Sequence, residues 1–199
     1  MNSCFNMNDF FEGAVVFLTE DEAEHVELPA NRRITHHNAI SAWRTSRTAL
    51  LRAFRAVGIP IESSDLKGAG IQQLAGFPDW RFSITHSDKY AAAWVARSGS
   101  FGMGVDLEST SRALSAELCL KIANSADTVS PDIRCWSLKE AIYKCFCGDK
   151  NQSKLYFNRI ALVDGSFYID GVKRAGTYFQ EIKDNGIVLS YAKSFNRGL

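Results

Sequence analysis

The sequence predicts an α+β fold from three observations: a long amphipathic helical stretch between His36 and Val57, three consecutive aromatic and β-branched segments between Trp80 and Leu107, and a last third in which strand-like runs alternate with turn signals. Apolar residues make up 46% of the chain and charged residues 23%, the proportions of a chain that buries a core and not those of a disordered or fibrous one. At 199 residues that core is either single or shared between two small halves packed on each other.

Taken in order, Gly13 to Leu18 reads as a strand, and Thr19 with Glu22 forms a capping box for a short acidic helix that Pro29 closes. Trp43, Leu50, Ala53, Phe54 and Val57 then recur at helical spacing, and Gly58 with Pro60 supplies the stop. Arg44, Arg47, Arg52 and Arg55 form a stripe beside that apolar face and can act together at a groove edge. Trp80 to Thr85, Tyr90 to Ala96 and Phe101 to Leu107 are expected to pair as one antiparallel sheet. Ser115 to Asn124 is a short helix, and Ser130 caps a second that begins at Pro131 and runs to about Lys144. Arg159 to Val163 and Phe167 to Asp170 flank Asp164-Gly165, while Gly176 to Lys183 and Ile187 to Lys193 flank Asn185-Gly186, so the chain should end in a meander of hairpins.

Several function classes are set aside by composition. No run approaches the roughly 18 apolar residues of a membrane span, and the N-terminus has neither the basic lead nor the apolar core of a signal peptide, so no membrane partner and a cytoplasmic location are expected. Five cysteines, at Cys4, Cys119, Cys135, Cys145 and Cys147, suit a reducing compartment better than a disulfide framework. Cys145 and Cys147 form a C-x-C pair without a second pair or a nearby histidine, which argues against zinc. A net charge of +1 gives no global attraction to nucleic acid. The charge is nonetheless uneven: seven acids and no Lys or Arg precede Pro29, and six arginines and no acid lie between Pro29 and Ile61. That second stretch is placed to meet something anionic.

Three constellations carry chemistry. In Gly102-Met103-Gly104-Val105-Asp106-Leu107-Glu108 two carboxylates share one face of a strand end, and with phosphate oxygens and water they suit Mg²⁺; alone, such a pair is more often a solvated strand end. Trp136, Glu140 and Lys144 stand at i, i+4 and i+8 of one helix, which lines up an indole, a carboxylate and an ammonium, or else a core tryptophan beside a surface ion pair. Phe82-Ser83-Ile84-Thr85-His86-Ser87 is a strand emptying into a His-Ser turn, whose imidazole and hydroxyl are either phosphate donors or ordinary turn groups.

In order and wording these segments resemble the signature of the 4′-phosphopantetheinyl transferase family, F-S-I-S-H-S, then G-[IV]-D-[IL]-E, then W-[ST]-x-K-E-[AS]-x-x-K. Here they read Phe82 to Ser87, Gly104 to Glu108 and Trp136 to Lys144. Chain length and the mid-chain acidic motif resemble the Sfp-type branch, which implies two similar α/β halves packed as a pseudo-dimer, here 1–100 with the nucleotide contacts and 101–199 with the metal and catalytic motifs. The resemblance implies Mg²⁺ on Asp106, Glu108 and Glu140, with Glu140 also the base toward the carrier serine. It implies Lys144 on a coenzyme A phosphate, and His86 and Arg47 near the 3′-phosphate, Arg47 matching an arginine that opens the long N-terminal helix. Arg32 and Arg33 fall where the family keeps further basic residues.

The activity so implied is Mg²⁺-dependent transfer of 4′-phosphopantetheine from coenzyme A to a serine of an acyl or peptidyl carrier protein, by a monomer. Two departures stand out: Gly76-Phe77-Pro78 has an aromatic where the family often has lysine, and Cys145-Phe146-Cys147-Gly148 lacks a glycine-rich basic run. The competing classes are another Mg²⁺-dependent phosphoryl enzyme and a non-catalytic adaptor that binds coenzyme A or a carrier.

Overall fold

The computed structural model describes residues 13–26, 36–68, 72–99, 101–147 and 155–195. Among these the protein is α+β, with two antiparallel sheets and three α-helices. The elements are β1 (Ala14–Thr19), α1 (His37–Ala56), β2 (Trp80–Ser87), β3 (Tyr90–Arg97), β4 (Gly102–Ser109), α2 (Ala116–Ile122), α3 (Ile133–Cys145), β5 (Ile160–Val163), β6 (Ser166–Ile169), β7 (Val172–Ile182) and β8 (Ile187–Ser194). None of the helices is long and apolar enough to cross a membrane.

The first sheet has the order β1-β3-β2 and the second β4-β8-β7-β6-β5. The expected sheet of β2, β3 and β4 therefore does not form: β4 pairs with β8, with Val105 opposite Tyr191. Beside β2 it runs parallel, and side chains replace the ladder. Ser83 Oγ accepts the Val105 N–H at 3.0 Å, and further along both strands Thr85 Oγ1 donates to Asp106 and Ser87 Oγ to Glu108. Strand β3 lies between β1 and β2 with both of its edges paired, so the short connection to β4 cannot make the two antiparallel neighbours, and β4 joins the distant β8 instead.

Three apolar cores follow from strand alternation. Ala91, Ala93 and Val95 of β3 face α1, meeting Leu50, Ala53 and Phe54, while Ala92, Trp94 and Ala96 face a central core with Met103, Val105 and Leu107 of β4 and Ile187, Leu189 and Tyr191 of β8. On the far side of the second sheet, Leu138, Ala141 and Ile142 of α3 pack on Ile160, Leu162, Phe167 and Ala192. Buried on both faces, β3 has no polar alternation, which is why it reads as a continuous apolar run.

Helix α1 ends as Gly58 foretells: at φ +79° its N–H bonds Arg55 and the Ile59 N–H bonds Phe54, a Schellman close. The acidic helix is only a 3₁₀ turn, Glu20–Glu22, in which the Glu22 carboxylate takes the Thr19 N–H at 2.8 Å; Pro29 lies outside the described residues. Helix α3 is capped by Asp132, not Ser130, because the Asp132 carboxylate accepts the N–H groups of Arg134 and Cys135 at 2.9 and 3.1 Å. The meander forms as expected, with Asp164 and Gly165 both at positive φ in the two-residue β5–β6 turn. At Asn185-Gly186 only the glycine is left-handed, in a longer loop closed by the Gly186 N–H on Lys183.

One polar tie fixes α3 to its surroundings. Lys139, fully buried, donates to Asp127 at 2.7 Å and to the Ile122 carbonyl at the end of α2 at 2.6 Å. Asp127 in turn accepts the Leu162 N–H of β5 at 2.7 Å and the Asn124 N–H at 3.0 Å. Removing either charge strands the other away from water. Lys139→Met is expected to lower stability by about 3–5 kcal/mol in urea unfolding, and a loss below about 1 kcal/mol would show that the pair is dispensable.

Candidate active site

The site is built where β4 lies against α3. A Cβ on Gly102 would sit 1.9 Å from the Cys145 carbonyl oxygen, and one on Gly104 1.9 Å from that of Ala141, so the strand touches helix backbone at both positions. Two residues of strand advance about 6.7 Å and four residues of helix about 6 Å, so the two rows stay in step as they run antiparallel. Continuing along the same strand face, Asp106 and Glu108 come level with the neighbouring helix row of Lys144, Glu140 and Trp136.

Asp106 Oδ1 accepts from Lys144 Nζ at 2.7 Å and Thr85 Oγ1 at 3.1 Å, and Lys144 also donates to the Val105 carbonyl at 3.0 Å. Glu108 Oε1 accepts from Arg112 and from the Trp136 indole N–H at 3.2 Å, and its Oε2 from Ser87 at 3.4 Å. Both carboxylates are buried. Glu140 makes no side-chain hydrogen bond among the described residues. Its pKa is raised above the ordinary glutamate value, first by burial, then by the negative charge of Asp106 and more weakly of Glu108, against the opposing pull of Lys144 and Arg112.

Among the described residues no group of three or more His, Cys, Asp and Glu stands ready to hold an ion, and Lys144 and Arg112 lie on the carboxylates instead. The donor chemistry nevertheless fits a hard divalent cation. Asp106 Oδ2 is buried without a partner, and Glu140 is electrostatically coupled to both strand carboxylates, which offers all-oxygen ligation.

His86, one residue out of phase with Thr85 and Ser87, turns to the other face of β2. There, with Arg47 and Trp43, it lines a groove of about 410 Å³ that Ala39 and Ala42 also border. Loss of hydration against its neighbours, then the charges of Lys144 and Arg47, hold its pKa below the usual histidine value. Arg47 lies 5.5 Å over the Trp43 ring, in the middle of α1; it does not open the helix as the resemblance implied, since α1 begins at His37. The Ser87 hydroxyl is also not a free phosphate donor, being turned to Glu108.

The arginine stripe does not act as one. Arg52 bonds Glu24 at 3.2 Å and the Glu22 carbonyl at 2.8 Å, and Arg55 bonds Glu24 at 3.3 Å, so the acid-rich segment before α1 occupies that end of the stripe. Phe77 is half-buried and packs against the core under α1, its ring 6.0 Å from that of Phe54. Arg32, Arg33 and Gly148 lie outside the described residues. Sequence reasoning placed Trp136 in line with Glu140 and Lys144 but not on Glu108, and gave no role to Thr85, Arg112 or the two β4 glycines; the i, i+2, i+4 spacing of Ser83, Thr85 and Ser87 was the available signal that their hydroxyls share one side of β2.

In comparisons with known proteins, no family model and no curated protein matches the chain.

The Glu140 carboxyl should titrate above the ordinary range in metal-free protein, and Asp106→Asn should bring it down, since the variant removes a negative neighbour and frees more of the Lys144 charge. Side-chain carbonyl NMR of ¹³C-labelled glutamate reads this directly; an unchanged or higher pKa in the variant would mean that the two groups are not coupled.

Proposed function

We propose that this protein transfers the 4′-phosphopantetheine arm of coenzyme A to a serine of an acyl or peptidyl carrier protein, releasing adenosine 3′,5′-bisphosphate. The observation that carries the reading is the convergence of three distant segments on one carboxylate: Thr85 from the first motif and Lys144 from the third both donate to Asp106 of the second. The resemblance of each segment to the family signature supplies the reaction. The finer architecture, two similar halves as a pseudo-dimer divided near residue 100, belongs to the same proposal. It is supported by a first sheet drawn from residues before 100, a second from residues after it, and one long helix on the outer face of each.

In this reading Asp106, Glu108 and Glu140 would hold Mg²⁺, which would supply charge neutralisation at the pyrophosphate. The serine oxygen forms a bond to the β-phosphorus of coenzyme A, and the bond from that phosphorus to the bridging oxygen breaks, leaving the electron pair on the bisphosphate. Glu140, the carboxylate without a side-chain hydrogen bond among the described residues, takes the serine proton. Lys144 places positive charge beside the reacting phosphates, where it offsets the charge that develops on the leaving oxygen. Arg47 and His86, across Thr85 from the carboxylates, receive the 3′-phosphate, the guanidinium by charge-assisted hydrogen bonds and the imidazole by its N–H.

Coenzyme A so held spans from the α1 groove to the β4–α3 site. Phe77, packed against the core, offers the nucleotide no charge, so the 3′-phosphate end relies on Arg47 and His86. Catalysis of this kind consists of positioning and charge compensation, so single carboxylate losses should be severe.

The direct test is intact-mass analysis of apo carrier proteins incubated with the protein, coenzyme A and Mg²⁺, with EDTA as control. A metal-dependent gain of one phosphopantetheine is expected, and Asp106→Ala or Glu140→Ala should slow it by at least about 100-fold. No gain on fatty-acid, polyketide or peptidyl carriers, together with measurable coenzyme A binding, would replace transfer by binding alone.

A further inference from the structure

The two strand carboxylates are not equally open to a cation. Asp106 keeps one buried oxygen without any partner, so an ion can be bound there without displacing a donor while Lys144 stays on the other oxygen. Glu108 has no such oxygen: Arg112 and Trp136 share Oε1, and Ser87 holds Oε2. Any ion that takes Glu108 must first displace a donor.

The three donors differ in how easily they leave. Trp136 is wedged edge-on against Phe157, with ring centroids 5.0 Å apart, and Ser87 belongs to a paired strand, opposite Tyr90. Arg112 stands on the turn after β4 with its side chain 49% exposed, against 9% for Glu108. Its long stem rotates freely, its guanidinium regains water on release, and it borders a groove of about 500 Å³ lined also by Arg134, Leu114 and Ile133. Departure therefore needs no rearrangement of a packed element.

Charge points the same way. Three carboxylates, Asp106, Glu108 and Glu140, face Lys144 and Arg112, so the metal-free cluster keeps an excess of negative charge that Arg112 reduces. Arrival of a divalent ion makes one of these cations superfluous, and the one held by fewer contacts is Arg112, whose guanidinium bonds Glu108 alone among the described residues while Lys144 also bonds the Val105 carbonyl.

We propose that Arg112 is a stand-in cation: it holds Glu108 in place while the site is empty and is displaced from it when a divalent ion binds, so that arginine and metal compete for one carboxylate. The proposal rests on the assignment of Asp106, Glu108 and Glu140 as metal ligands, and it adds a residue that the resemblance does not include. Arg112 touches no substrate in this scheme; it sets the affinity of the site for its ion and keeps Glu108 oriented when there is none.

The test is Mn²⁺ binding, read by electron paramagnetic resonance of the free ion, on the full-length wild-type protein, Arg112→Met and Arg134→Met. Arg134 borders the same groove and carries the same charge but bonds Asp132, not Glu108. Loss of a competing, partly exposed ion pair should tighten Mn²⁺ binding by roughly two- to fivefold in Arg112→Met, with Arg134→Met unchanged. Equal or weaker binding in Arg112→Met overturns the proposal while leaving the metal site standing, and equal tightening in both variants overturns it in favour of a general charge effect. Absence of Mn²⁺ binding in all three proteins removes the metal assignment and this proposal with it.

Discussion

The close approach of β4 to α3 is the constraint on which the site depends. Two glycines at i and i+2 let a strand lie on helix backbone with no side chain between them, and the near-equal advance of two strand residues and one helical turn keeps the register for two further steps. Where the glycines end, the same strand face carries Asp106 and Glu108, and the same helix carries Lys144, Glu140 and Trp136. A motif read as G-x-G-x-D-x-E is thus a single ruler: its first half sets the distance and its second half is delivered at that distance. Substituting a larger residue at Gly104 would act on Asp106 without touching it.

The second constraint is the seam between the sheets. Strands β2 and β4 run parallel but exchange no ladder bonds; hydroxyls from Ser83, Thr85 and Ser87 bridge them instead. Hydroxyl bridges let each strand keep its own sheet while fixing their relative register, and through Thr85, the neighbour of His86, they tie the strand that lines the His86–Arg47 groove to the carboxylates of β4. In the proposed reaction this is how one extended molecule reaches from a phosphate-binding groove to a metal-binding strand. Helix α1 and helix α3 then cover opposite outer faces, with Trp94 and Tyr191 packed edge to face, 6.4 Å apart, between the sheets.

Much of this was legible in the sequence because it is local. The apolar period of α1, its Gly58 stop, the Asp164-Gly165 turn and the strand runs of the last third depend on neighbours a few residues away. The pairing of β4 with β8 was not legible, since the choice is made by a strand some eighty residues later and both candidate partners read alike. The arginine stripe was visible as a pattern, but its division was not: Glu22 and Glu24, from before the helix, fold back onto Arg52 and Arg55 and leave Arg47 with His86. At the candidate site the acids, Lys144, Trp136 and Ser87 could be named from sequence, but not that Trp136 and Ser87 hold Glu108, nor any part for Thr85 and Arg112, because hydroxyls and surface arginines are too common to stand out until geometry places them.

Lys139 and Glu140 are adjacent in the chain, yet a helix turns 100° per residue and so points them to different worlds. One is sealed in the protein and ties α2, α3 and β5 together; the other meets two carboxylates across from the strand. In a survey of all substitutions scored for both cellular abundance and activity per molecule, these neighbours should separate cleanly, position 139 depleting the amount of protein and position 140 its competence. Such a boundary, falling between consecutive letters, marks where the architecture of this helix stops serving the fold and starts serving the site.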